Sequence, residues 1–125
     1  MGDLAKDFSK WEMVCKCGCG ICNVSDSFMA KLQLTRTVAN IPFEIISGCR
    51  CPVHNKNEGG KETSDHLTTE SIQCEGVDIR CHYSGDRLKI ISAAIMSGFR
   101  RIGIAKSFIH LGMKKDNPQD VIWVY

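Results

Sequence analysis

Three short phrases, Ser64-Asp65-His66, Gly76-Val77-Asp78 and Phe108-Ile109-His110, constrain the fold of this chain more than any other feature. Two histidines and an aspartate are donors that a catalytic zinc ion uses when three protein ligands leave a fourth position to water. Water held in that way is activated near neutral pH, so the chemistry these residues point to is hydrolysis. To act together, His66 at the end of a loop must meet Asp78 on a short strand and His110 in the middle of another. Spacing alone leaves a plainer alternative open, because a histidine in an apolar strand is commonly a hydrogen-bonded core residue.

A chain of 125 residues suffices for one domain with one core, and residues 1–125 read as a single unit. No apolar run approaches the roughly 20 residues that cross a bilayer, so no membrane span is expected. A net charge of +2 with scattered basic residues argues against a nucleic-acid partner. Arg100-Arg101 and Lys114-Lys115 read as solvated faces. The opening Met1-Gly2-Asp3-Leu4-Ala5-Lys6-Asp7 lacks the apolar stretch of a secretory signal, so synthesis in the cytoplasm without a signal peptide is expected.

Eight cysteines are many for this length. Without a signal peptide, reduced thiols or metal ligands are the first expectation, and disulfides formed after release from the cell are the alternative. Cys15, Cys17, Cys19 and Cys22 stand in one run that could give thiolates to a structural zinc or an iron–sulfur cluster. The paired two-residue spacing usual for such sites is missing there. Cys49, Cys51, Cys74 and Cys81 sit singly.

Hydrophobic spacing predicts a helix over Ser25–Asn40, capped by Ser25, with Phe28, Met29, Leu32 and Ala39 inward. Residues 43–47 and 76–80 read as strands, with a long polar loop from Gly48 to Asp65 between them. A second helix is expected over Ser84–Ser97, with Leu88, Ile91 and Ile95 on its inner face and Gly98 closing it. Residues 101–105, 107–113 and 121–125 have strand composition. A small antiparallel or mixed sheet with two main helices packed on it follows, which is an α+β fold.

Beyond these local signals, Ser47-Gly48-Cys49-Arg50-Cys51-Pro52-Val53-His54-Asn55, then Glu58-Gly59-Gly60 and Ser64-Asp65-His66-Leu67, resemble the signature of the zinc D-Ala-D-Ala carboxypeptidases. The match is to the short form found in phages and prophages. Phe8-Ser9, Glu12, the Cys15–Gly20 run and Phe108-Ile109-His110-Leu111 follow that form in order. The resemblance implies a hedgehog-like zinc peptidase fold with Zn²⁺ on His66, Asp78 and His110. It also implies Arg50 as the cation on the substrate carbonyl and Ser64 as a hydroxyl for the peptide or its terminal carboxylate. Asn55 and Gly59-Gly60 are expected to shape the loop, His54 to stabilise it, and His82 to lie on the surface.

Three departures from the family pattern stand out. His66 and Asp78 are farther apart than in the usual His-x-x-Gly-x-Ala-x-Asp, and residues 69–74 look like an insertion forming a hairpin or lip beside the site. Ser107 stands where many relatives carry an acidic general base, so Glu75, with Glu70 and Asp65 as alternatives, is the candidate base. Glu70 and Glu75 are also the substitutes for Asp78 as ligand. Gly112 stands where the short form has an Asp that orients a ligand.

The resulting expectation is a zinc-dependent carboxypeptidase or endopeptidase acting on peptidoglycan stem or cross-link peptides. It would be encoded by a phage or prophage and reach the wall after release or in a virion. The alternative is a non-catalytic zinc-containing module that binds peptidoglycan or belongs to a virion. A third reading is a cysteine-rich metal-binding protein built on Cys15–Cys22.

Overall fold

The structure, a computed structural model, describes residues 2–125. Its elements run α1 (Lys10–Met13), α2 (Asp26–Ala39), β1 (Ile45–Ser47), α3 (Pro52–Asn57), β2 (Gly76–Arg80), α4 (Ser84–Met96), β3 (Arg101–Ile104), β4 (Phe108–Gly112) and β5 (Val121–Val124). The fold is α+β, and the five strands form one mixed sheet in the order β1-β2-β4-β3-β5. All pairs are antiparallel except β3 with β5. No helix is long and apolar enough to cross a membrane among the described residues.

Helix α2 starts where expected, because the Ser25 hydroxyl accepts the Phe28 amide hydrogen at 3.2 Å and Asp26 lies in the positive first turn. It ends at Asn40, which takes a left-handed φ of 55°. Phe28, Met29, Leu32 and Ala39 are buried. Helix α4 ends in a Schellman turn, with Gly98 at φ +98°, its N–H on the Ile95 carbonyl and the Phe99 N–H on the Ala94 carbonyl.

The inner face of α4 differs from the expected one. Leu88 and Ile95 are exposed, and Ile90, Ala93 and Ala94 are buried instead. Helices α2 and α4 pack against each other, and alanines permit the close approach that leucine would block. Within the long polar loop, Pro52 at the first helical turn starts the short helix α3.

Strand alternation divides the sheet into two faces. Val77, Ile79, Ile102, Ile109 and Leu111 join the core with Phe28, Leu32 and Ile90. The opposite face carries a row across all five strands, since register pairs Ser47 with Asp78, Asp78 with His110, His110 with Gly103, and Gly103 with Trp123. Gly103 is needed there, because a Cβ would stand 2.7 Å from the Trp123 ring. Arg101, on the same face, stacks over that ring at 4.7 Å.

Candidate metal centre

The cross-strand row sets Asp78 beside His110, and the loop ahead of β2 brings His66 to them. A two-residue ladder holds that loop: the Arg50 N–H donates to the His66 carbonyl and the Thr68 N–H to the Arg50 carbonyl, both at 2.8 Å. One donor atom from each of His66, Asp78 and His110 lies within 4.8 Å of the others, and all three residues are buried. Asp78 Oδ1 is 3.3 Å from His66 Nε2 and 2.9 Å from His110 Nδ1.

The remaining atoms of the three groups are engaged. His66 Nδ1 lies 2.7 Å from the Gly48 carbonyl, which can only accept, so the proton sits on Nδ1 and the Nε2 lone pair turns to the site. Burial pushes His66 below its ordinary pKa, and neutral imidazole is the ligating form. Arg50 donates to Asp78 Oδ2 at 3.3 Å and to Ser47 Oγ at 2.9 Å. Burial alone would raise the Asp78 carboxyl, but the hydrogen bond from His110 and the positive charge on that ring hold it well below the usual carboxylate range. For His110, burial opposes the charged form while Asp65 and Asp78 favour it, and the net shift is upward. A buried donor set with this appetite for positive charge fits a divalent cation with histidine and carboxylate ligands.

Asp65 plays a part that differs from a general base. Its Oδ2 accepts from His110 Nε2 at 2.8 Å and from Arg101 Nε at 2.9 Å. Its Oδ1 accepts from the Lys114 N–H and from Asn117 Nδ2, both at 3.2 Å. Burial would raise its pKa, but His110 and Arg101 bring it down to about 2. An ionised carboxylate on the far nitrogen of a ligand histidine fixes the tautomer and ring orientation. Its niche is made by Gly76 and Gly112, cross-strand partners whose added Cβ atoms would stand 2.4 Å from Asp65 Cβ and 2.3 Å from Asp65 Oδ2. The expected solvated faces are corrected at two positions, since Arg101 is tied to Asp65 and Lys114 is buried with Nζ on the Leu67 carbonyl.

A cavity of about 1040 Å³ opens over the centre, lined by Arg50, Ser64, Asp65, His66, Asp78 and His110, with His54, Glu58 and Asp116 also on its walls and Phe108, Trp123 and Tyr125 as its aromatic side. Ser64 Oγ accepts from the His66 N–H at 3.2 Å. Asn55 and the glycines shape the loop as expected: Asn55 Nδ2 donates to the Lys61 carbonyl, and Gly60 leaves room for the Asn55 side chain.

The candidate base Glu75 does not line this cavity. It lines a second depression with Ser71, Ile72, Gln73 and Lys114. Glu70 lines neither, its carbonyl being held by Asn23. The reason is the insertion, which is not a lip over the site: residues 69–74 fold back on the strand-like segment ahead of α2, with Cys74 N–H on the Asn23 carbonyl and Ser25 N–H on the Cys74 carbonyl. Of the amino-terminal cysteines, Cys15, Cys17 and Cys19 gather, but the fourth thiol beside them is Cys51. Cys22 turns instead toward the Lys10 carbonyl, at 3.9 Å.

A mixed sheet with α2 and α4 packed behind it and a buried His–Asp–His centre on its other face make a metal-binding α+β domain. Residues 6–112 match the Peptidase M15 family, and the chain belongs to that family of zinc peptidases. No curated protein matches the chain significantly.

Proposed function

We propose that the chain hydrolyses peptidoglycan stem or cross-link peptides at a bond beside a D-amino acid, as a zinc-dependent carboxypeptidase or endopeptidase. The observation that carries this reading is the buried His66–Asp78–His110 set opening onto a cavity large enough for a short peptide, with Arg50 against Asp78. His66 would hold zinc through Nε2, Asp78 through Oδ1 and His110 through Nδ1, because Gly48, Arg50 and Asp65 occupy the other sides of these groups. Zinc there supplies activation of water and polarisation of the scissile carbonyl.

The chain's own residues do the rest. Arg50 is fixed through Nε and Nη2, which leaves Nη1 to meet the carbonyl oxygen as negative charge grows on it. Ser64 accepts from the His66 amide and keeps its hydroxyl hydrogen for the peptide or its terminal carboxylate. Among the carboxylates lining the cavity, Asp65 and Asp78 are engaged with the ligand histidines His66 and His110, whereas Glu58 and Asp116 are not. Glu58, 3.5 Å from His54 Nε2 on the wall that follows Arg50, takes the proton from the attacking water.

The test is mass spectrometry of products from purified peptidoglycan and from a pentapeptide ending in D-Ala-D-Ala. Released D-alanine marks a carboxypeptidase and new amino groups within cross-links an endopeptidase, and both must vanish on chelation and in His66→Ala. Zinc-loaded protein that sediments with insoluble peptidoglycan yet yields neither product would instead support a non-catalytic wall-binding or virion-associated module. Ser107 in place of the acidic residue of many relatives favours that second reading. In either case the site of action is the cell wall, reached after release or as part of a phage particle.

A further inference from the structure

A second cluster of donors stands apart from the histidine centre. The Sγ atoms of Cys15, Cys17, Cys19 and Cys51 all lie within 4.8 Å of one another. Cys15 to Cys17 is 3.4 Å and Cys17 to Cys51 is 3.6 Å. A tetrahedral zinc with Zn–S bonds of about 2.3 Å sets its sulfurs about 3.8 Å apart. We propose that these four cysteines bind a second, structural zinc ion, with Cys51 in the place that the run of cysteines would have given to Cys22.

Local geometry supports the assignment. In an extended chain, residues two apart are separated by about 6.6 Å along the strand, too far for three alternate sulfurs to share one ion. Gly18 and Gly20 take φ of +93° and +80° in open space and fold the run so that its sulfurs converge. Two backbone amides point at the sulfurs, Cys51 N–H to Cys15 Sγ and His54 N–H to Cys51 Sγ, each at 3.4 Å. Backbone amides directed at sulfur are the contacts that a metal-bound sulfur accepts in a closed site. All eight cysteines are free, and these four meet at one point instead of in two separate pairs. An iron–sulfur cluster spreads its thiolates over several irons, so the compact set suits a single ion.

Binding exchanges up to four thiol protons for one Zn²⁺, and four protein ligands leave no open position, so the ion is structural. It would tie the amino-terminal loop to the residue beside Arg50. Lys16, between two ligands, and His54, one helical turn after Cys51, both line the cavity of the first centre. The second ion would therefore brace a wall of that cavity without entering its chemistry.

Elemental analysis of protein purified under reducing conditions tests this. Wild type is expected to carry two zinc ions per chain. Cys51→Ser and Cys17→Ser should carry one, His110→Ala one, and Cys22→Ser two. Cobalt substitution of the wild type gives a readout independent of variant folding: a tetrathiolate site adds strong sulfur-to-cobalt charge transfer in the near ultraviolet, which persists in His110→Ala. Absence of that band, or undiminished zinc in Cys51→Ser, overturns the proposal. A Cys15–Cys17 or Cys17–Cys51 disulfide found by mass spectrometry in the reduced preparation overturns it as well.

Discussion

Exchanging the carboxylate between residues 65 and 112 tests how the site is supported. The short family form carries an aspartate at the position of Gly112, whereas here a Cβ at 112 would stand 2.3 Å from Asp65 Oδ2 and 2.8 Å from His110 Nε2. Asp65 delivers a carboxylate to His110 Nε2 from the loop, into the space that a side chain at 112 would enter from the strand. Asp65→Ala removes the partner of His110 Nε2 and Arg101 Nε and two further donors. Stranding a buried charge in this way costs about 3–5 kcal/mol. Gly112→Asp alone forces two carboxylates into one niche, with overpacking worth about 1–3 kcal/mol before their repulsion is counted. In the double variant the strand carboxylate takes the emptied place, so a favourable coupling of about 2–3 kcal/mol is expected. Denaturant unfolding of the four proteins in excess zinc gives the coupling, and chelator competition gives zinc affinity. Each single variant should lose roughly 10–100-fold in affinity and the double should recover part of it, the Cβ at 112 still pressing on the His110 ring. Strictly additive losses would refute the shared niche.

Three further outcomes are expected. Arg50→Lys keeps a charge but loses the fork that spans Ser47 and Asp78, so kcat should fall about 10²–10³-fold with zinc content unchanged, as read by steady-state peptide hydrolysis. Glu58→Gln should lower kcat by about 10²–10⁴-fold in steady-state peptide hydrolysis, while Glu75→Gln, facing the other depression, should leave it unchanged. Gly103→Ala drives a Cβ into the Trp123 ring at 2.7 Å and should destabilise the fold by about 1–3 kcal/mol with a shift in tryptophan emission; unchanged unfolding would contradict the packing described.

Much of the fold was legible because local signals agreed with it: the Ser25 cap, the spacing of Phe28, Met29 and Leu32, and the strand around Asp78 all act within a few residues. The inner face of α4 was misread since hydrophobicity ranks Leu88 and Ile95 above Ala93 and Ala94, whereas the contact with α2 selects for size. Helix α3 was hidden in a polar loop and betrayed only by Pro52. His66, Asp78 and His110 follow from chemistry and resemblance; the sheet register sets Asp78 beside His110, and the loop ahead of β2 brings His66 to them. The role of Asp65 was masked by its place beside a ligand, though two strand glycines, Gly76 and Gly112, were the signal of a niche. Cys51 was missed as the fourth thiol because nothing local ties it to a run 36 residues away.

Asp78 and His110 face each other directly across β2 and β4, from positions 32 residues apart in the chain. A slip of one residue between those strands would send one donor into the core and an apolar side chain, Ile109 or Leu111, to the place of His110. At the proposed centre, the ion therefore works as a parity check on assembly: a misaligned sheet has no matched donors, binds nothing, and gains none of the stabilisation that ligand binding confers on the correct alignment.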